Sequence, residues 1–148
     1  MITVIKSPFV QYKLTILRNK KTSNTVFRQT MNEISYLIAS DVLQYVPFKK
    51  QTIETPLKKM SGTALGQPII LVPILRAGLG LLEGFAKFLP EAEKGHIGLY
   101  RDEQTYEPVE YLFKLPRVKN KKVLILDPML ANIGSRTVSY THLRAHET

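Results

Sequence analysis

The chain has 148 residues and a formal net charge of +9, and its 44% hydrophobic content is enough to bury the core of one domain. It contains no cysteine, which excludes a disulfide scaffold or a zinc module with cysteine ligands. The longest apolar run, Pro68 to Leu75, is too short to cross a bilayer. We therefore expect a cytoplasmic protein that binds no membrane, and the positive charge suits either nucleic acid or a polyphosphate substrate.

One long amphipathic helix is predicted in the first third of the chain. Ser23 is a suitable N-cap and Pro47 ends the helix. Apolar side chains recur three or four residues apart on one face, namely Phe27, Met31, Ile34, Ile38, Val42 and Tyr45. We assign no regular structure to the opening residues before Ser23. A short strand is predicted from Lys50 to Thr55, and turn residues follow from Pro56 to Gln67.

Buried strands alternate with a helix in the rest of the chain. Ile69 to Leu75 is nearly unbroken apolar sequence, which is typical of a parallel strand covered on both faces, and helical spacing follows from Leu79 to Leu89. Further strands are predicted at His96 to Tyr100, at Val109 to Leu115, which alternates as a half-exposed strand does, and at Val123 to Asp127. The pattern predicts an α/β fold, an open and mostly parallel sheet with helices on both faces.

Charged or glycine residues directly follow three of these strands. Arg76 lies in the segment PILRAGLG, where its guanidinium suits phosphate oxygens and Gly78 allows close approach of a ligand. Arg101 lies in LYRDE beside two carboxylates. Taken alone, the first segment is equally consistent with a capped turn carrying a solvated Arg, and the second with a solvated ion-pair surface.

The third segment, Val123 to Ser135, is the most specific. A strand that ends in Asp127 offers a carboxylate for ribose hydroxyls, and the loop up to Ser135 offers backbone N–H groups and a hydroxyl for a phosphate. The segment lacks the Gly-Lys-Ser/Thr ending of a Walker loop and the glycine spacing of a dinucleotide fold. His96 is interpreted as a core or edge histidine without a role.

An ordered series of motifs resembles the uracil phosphoribosyltransferases of pyrimidine salvage. The series comprises KLTILRNKKTS (13–23), VPILRAGLG (72–80), HIGLYRDE (96–103), EPVEY (107–111) and LDPMLA (126–131). The resemblance runs from about Ser7 to Ser135, and it implies a type I phosphoribosyltransferase fold with a projecting β-arm. It also implies transfer of phosphoribose from 5-phosphoribosyl 1-diphosphate (PRPP) to uracil, which gives UMP and pyrophosphate.

The resemblance also implies the site residues. Arg76, Arg101 and Asp127 match residues with catalytic roles and contact PRPP. The PRPP loop matches Asp127, Pro128, Met129, Leu130, Ala131, Asn132, Ile133, Gly134 and Ser135. Mg²⁺ is expected to be carried mainly by PRPP, so no protein metal ligand is assigned. Asn132 and Ile133 stand where the family usually has Thr-Gly, and a β-branched residue takes positive φ poorly, so we expect weaker phosphate binding.

The resemblance ends at Ser135. We interpret residues 1–135 as a truncated phosphoribosyltransferase domain and Arg136 to Thr148 as a non-native tail; the alternative is a native helix with His142 and His146 at i and i+4. The family's C-terminal glycine-rich uracil segment has no counterpart, so no uracil-binding residue is assigned. The interpretation predicts a sheet that is incomplete at its C-terminal side and a fragment inactive as given.

The resemblance and the charge leave two predictions about partners. The segment from Arg101 to Pro116 resembles the family's β-arm, which packs against a second subunit, so a homodimer or higher homo-oligomer is implied for the complete protein. The alternative function is a phosphoribosyltransferase-fold regulator that binds RNA of pyrimidine genes. The lysine pairs of this chain are scattered along the sequence, without the interleaved aromatic residues typical of RNA-binding platforms. Nucleic acid is therefore the less favoured partner.

Overall fold

The computed structural model describes residues 2–105 and 107–129. Its helices are α1 (Pro8–Arg18), α2 (Asn24–Leu43) and α3 (Leu79–Phe88). Its strands are β1 (Phe48–Glu54), β2 (Lys59–Leu65), β3 (Ile69–Leu75), β4 (Glu93–Lys94), β5 (His96–Arg101), β6 (Pro108–Lys114) and β7 (Lys122–Leu126). The predicted α/β class is confirmed, and so are the predicted strands that became β1, β3, β5, β6 and β7.

Within residues 2–105 and 107–129 the main sheet has five strands, and β3 lies inside it. On one side β3 pairs in parallel with β4 and β5, and on the other it pairs in parallel with β7. Strand β6 pairs antiparallel with β5 and so forms the one antiparallel ladder of the described sheet. The sheet is therefore mostly parallel, as the sequence predicts.

Strand β3 is buried on both faces, which explains its unbroken apolar sequence. Ile69 and Leu71 point to a core that α2 and α3 cover, together with Leu126 of β7. Ile70 and Val72 point to the opposite face, and both are 0% exposed. Burial of each such side chain contributes about 1.5–3 kcal/mol. The described helices that touch the sheet lie on the first face, so the predicted helix on the second face stays a prediction.

Helix α2 begins where the sequence predicts. The Ser23 side chain accepts a hydrogen bond from the Val26 amide at 3.4 Å. The predicted apolar face is buried only in its middle, because Phe27 at one end and Tyr45 just past the other are exposed. Thr30, Ser35 and Ala39 are buried instead. The helix therefore packs through smaller side chains than the apolar pattern indicates.

Small residues let α2 and α3 approach closely. A Cβ atom at Gly84 would lie 2.6 Å from the backbone carbonyl carbon of Ser35. The Ser35 hydroxyl donates to the carbonyl oxygen of Leu81. The contact positions the beginning of α3, and therefore the residues just before it, against the sheet.

Three elements lie where no regular structure was predicted. Helix α1 begins with Pro8 in its first turn and is tied to α2 by the ion pair of Lys13 and Glu33 at 2.6 Å. The hydrogen bond from Lys13 is the main cause that lowers the pKa of Glu33. The prediction of turn residues from Pro56 to Gln67 is wrong for β2, which pairs antiparallel with β1. The third element is the two-residue strand β4.

The segment from Arg101 to Pro116 belongs mostly to the main sheet. Its β6 part pairs with β5 as an antiparallel edge, and residues 102–105 and Glu107 are the described residues between the two strands. A separate two-stranded sheet is formed by β1 and β2. The hairpin outside the main sheet is therefore β1–β2, and the segment from Arg101 to Pro116 is not the projecting β-arm that was predicted there.

Across residues 2–105 and 107–129, none of the helices combines the length and the apolar character needed to cross a bilayer.

We expect the Gly84→Ala substitution to lower the free energy of unfolding by about 2 kcal/mol, because overpacking a close helix contact usually costs 1–3 kcal/mol. Gly80→Ala is the matched control in the same helix. Its new Cβ would meet the side chain of Met31 rather than a backbone atom. The measurement is urea denaturation of both variants, and equal stability of the two would contradict this account of the α2–α3 contact.

Candidate active site

The three predicted site residues lie at the ends of three neighbouring parallel strands. Strand β3 lies between β7 and β5, and its Pro73 pairs with Leu126 while its Leu75 pairs with Gly98. Asp127 therefore comes directly after β7, and Arg76 directly after β3. Arg101 is the last residue of β5 rather than the residue after it. Because these strands are parallel, their carboxyl ends meet at one edge of the sheet, where ligands of such folds bind.

The turn after β3 carries Arg76 and depends on a glycine. The Gly78 amide donates to the carbonyl oxygen of Ile74 at 2.7 Å, and the peptide bond before Arg76 is cis. A Cβ atom at Gly78 would lie 2.6 Å from the Ile74 amide nitrogen and would collide with the carbonyl oxygen of Leu126. The absence of a side chain thus lets the turn pack against the end of β7. The guanidinium of Arg76 is exposed at this edge.

Asp127 begins the turn after β7. Its carboxylate oxygen Oδ1 accepts a hydrogen bond from the Met129 amide at 3.0 Å, which orients the carboxylate over its own loop. Asp127 and Pro128 are half-buried and Met129 is exposed. The other predicted members of the PRPP loop, Leu130 to Ser135, lie outside the described residues, and so does the predicted tail, Arg136 to Thr148. The predictions about them stay predictions.

The turn after Arg101 is organised by Asp102. Its Oδ1 accepts from the amides of Gln104 at 2.9 Å and Thr105 at 2.8 Å, and from the Thr105 hydroxyl at 3.2 Å. The Thr105 and Gln104 amides are the main causes that lower the pKa of Asp102. Taken alone, the sequence of this segment is consistent with a solvated ion-pair surface, whereas the Asp102 carboxylate receives hydrogen bonds from the amides of its own turn.

A cleft of about 910 Å³ adjoins the same edge and was not predicted. It lies between α1, α2 and the start of α3, and it extends to Pro128 and Met129. Its wall is mostly apolar, with Leu14, Leu17, Phe27 and Leu79 among its lining residues, and Arg18 and Arg28 also line it. The apolar spacing of α1 was the available signal, but the cleft depends on α1 packing against α2, which no local pattern shows.

His96 lies away from the predicted site residues along β5. His96 is the first residue of β5, opposite Lys114 and at the other end of the strand from Arg101. Within the ranges 2–105 and 107–129, no three His, Asp or Glu residues come together in a way that could hold a metal ion.

Known proteins resemble the chain over nearly its whole length. The family model for uracil phosphoribosyltransferase matches residues 4–148, so the expectation that the resemblance ends at Ser135 is wrong. A protein of Finegoldia magna named uracil phosphoribosyltransferase is 46% identical over 147 residues, which cover 98% of this chain and 70% of the relative. One of Levilactobacillus brevis with the same name is 45% identical over 143 residues, covering 95% of this chain and 68% of the relative.

A solved structure shows the same fold. A protein of Aquifex aeolicus superimposes with a TM-score of 0.90 at 33% identity, and the match covers 99% of this chain and 71% of that one. The chain thus spans about seven-tenths of the length of the relatives it matches.

Proposed function

Since the chain belongs to the uracil phosphoribosyltransferase family, whose members are pentosyltransferases, we propose that its carboxyl-edge site binds PRPP for transfer of the phosphoribosyl group to N1 of uracil; that the chain as given is inactive stays a prediction. The observation that carries the proposal is the position of Arg76, Arg101 and Asp127 at the ends of three neighbouring parallel strands. Two guanidiniums and one carboxylate on one edge suit a substrate with both a diphosphate and ribose hydroxyls.

Arg76 and Arg101 are the proposed ligands of the diphosphate. In the reaction, the bond between C1 of the ribose and the diphosphate oxygen breaks, and its electron pair leaves with pyrophosphate. N1 of uracil supplies the pair for the new bond and loses its proton to water. Negative charge grows on the leaving oxygen, so fixed guanidinium groups stabilise the transition state more than the ground state. Neither Arg acts as a nucleophile.

Asp127 is the proposed ligand of the ribose. Its carboxylate accepts hydrogen bonds from hydroxyl groups, and its negative charge favours the positive charge that develops on the ribose ring. The amide of Met129 already holds one carboxylate oxygen, so the carboxylate is oriented before substrate arrives. The proposed phosphate ligands are the backbone amides and the hydroxyl of the loop up to Ser135.

Mg²⁺ is proposed to enter as part of the substrate, as Mg–PRPP. The diphosphate and ribose oxygens of PRPP are hard ligands of the kind that Mg²⁺ prefers. When bound, the ion neutralises charge on the departing pyrophosphate. We propose a cytoplasmic location, because both the substrate PRPP and the product UMP are phosphorylated and do not cross membranes unaided.

A homodimer is proposed through the β1–β2 hairpin. Phe48 lies opposite Leu65 on one face of the hairpin, and Ile53 lies opposite Met60 on the other. All four of these side chains are more than a third exposed. Apolar pairs on both faces of a separate two-stranded sheet are a surface that a second copy of the chain would cover.

We expect Arg101→Ala to weaken PRPP binding by a factor of about 30, because a lost charge-assisted hydrogen bond costs on the order of 2 kcal/mol. The measurement is the equilibrium dissociation constant of labelled PRPP with Mg²⁺. Arg117→Ala is the control, since Arg117 is exposed after β6 and has no proposed role. An unchanged dissociation constant for Arg101→Ala would remove Arg101 from the site.

We expect the double substitution Ile53→Lys and Met60→Lys to shift the protein from dimer to monomer, because it buries two charges in the proposed interface. Light scattering after size exclusion measures the mass. Thr52→Lys adds charge to the same strand at a polar position and serves as the control. A wild-type chain that is monomeric at micromolar concentration would contradict the dimer.

The RNA-binding alternative has one feature in its favour. Two of the lysine pairs, Lys49-Lys50 and Lys58-Lys59, lie on or next to the strands of the β1–β2 hairpin and are exposed. The enzyme interpretation predicts no measurable affinity for random RNA at physiological salt. Titration of labelled RNA at several salt concentrations tests this, and a steep dependence of the binding constant on salt would favour the regulator.

A further inference from the structure

The turn between β5 and β6 is held by one carboxylate oxygen. Oδ1 of Asp102 receives three donors, the amides of Gln104 and Thr105 and the Thr105 hydroxyl, at 2.8–3.2 Å. The Thr105 hydroxyl oxygen in turn accepts from the Glu107 amide at 3.3 Å. The Asp102 amide donates to the Glu107 carbonyl oxygen at 3.0 Å. These bonds fix the backbone on both sides of the turn.

This turn adjoins the backbone of Arg101. Arg101 lies opposite Pro108 in the last pair of the β5–β6 ladder, and the bond between Asp102 and Glu107 comes directly after that pair. The ladder also has a register shift between Gly98 and Leu99. The register shift interrupts the regular ladder before Arg101. The hydrogen-bonded turn therefore constrains the end of β5 in addition to the ladder, and the backbone conformation at Arg101 depends on this turn.

The hydrogen bonds also show which groups the carboxylate next to Arg101 contacts. A carboxylate beside Arg101 that pointed toward the site would repel an anionic substrate. The Asp102 carboxylate instead receives the turn's own donors, and the same donors lower its pKa. The charged carboxylate of Asp102 is therefore hydrogen-bonded within its own turn, and its oxygen is the acceptor that shapes the loop.

We propose that Asp102 is a positioning residue for PRPP: its side-chain oxygen holds the turn that keeps Arg101 at the substrate edge. The inference rests on the proposed role of Arg101 as a diphosphate ligand. Asp102 itself does not touch the substrate. Its acceptor geometry, rather than its charge, is the property that matters, because three donors converge on one oxygen.

The test compares Asp102→Ala, which removes the acceptor, with Asp102→Asn, which keeps Oδ1 and removes the charge. Glu103→Ala is the matched control, because it removes the same charge from the adjacent exposed residue. Two quantities are measured in the full chain: the dissociation constant of labelled PRPP with Mg²⁺, and hydrogen exchange of the Gln104 and Thr105 amides. Exchange of the β3 amides confirms that each variant retains the core.

For Asp102→Ala we expect about tenfold weaker PRPP binding, since small displacements of a positioned group are costly, with faster exchange of both turn amides. Asp102→Asn should stay within about threefold of wild type and Glu103→Ala should bind PRPP as wild type does. Wild-type affinity in Asp102→Ala would overturn the proposal. So would an equal loss in Asp102→Asn or in Glu103→Ala, which would make the effect one of charge.

Arg101→Ala, measured in the same experiment, distinguishes the positioning role of Asp102 from the proposed role of Arg101 in PRPP binding. If Arg101→Ala weakens PRPP binding and Asp102→Ala does not, the positioning role is wrong while the proposed function stands. If Arg101→Ala leaves the dissociation constant unchanged, the role of Arg101 in the proposed function fails, and the positioning role fails with it.

Discussion

The burial of β3 on both faces is the constraint on which the rest of the structure depends. A strand with apolar side chains on both faces must lie inside a sheet and be covered on each side. Its backbone groups then pair with β4 and β5 on one side and with β7 on the other. Parallel pairing brings the carboxyl ends of β3, β5 and β7 together. The predicted site residues therefore lie along one edge of the sheet because β3 is buried on both faces.

Two close backbone contacts connect the core to the candidate site. At Gly78, the turn after β3 packs against the carbonyl oxygen of Leu126, so the segments that carry Arg76 and Asp127 touch each other directly. At Gly84, α3 packs against Ser35 of α2, which also brings the residues of α2 to the cleft beside the site. Both contacts exist only where a Cβ atom is missing.

The charge of the chain is distributed in a way that fits an anionic substrate. Arg76 and Arg101 are exposed at the carboxyl edge, and Arg18 and Arg28 line the adjoining cleft. Glu83 also lines this cleft, so the four arginines outnumber the one carboxylate among its described lining residues. An excess of positive side chains around a concave surface attracts a polyphosphate and raises its local concentration. The carboxylate of the nearby Asp102 receives hydrogen bonds from its own turn.

From residues close together along the chain, the sequence predicts the α/β class, the cap at Ser23 and the buried strand at Ile69 to Leu75. It also placed Arg76 and Asp127 after buried strands, and its motif series identified the family. The pairing of β2 with β1 became visible in the folded chain alone, since exposed strands leave no apolar alternation to detect. The apolar cleft and the acceptor role of Asp102 were likewise decided there, because each requires packing or hydrogen-bond geometry that composition and spacing do not encode.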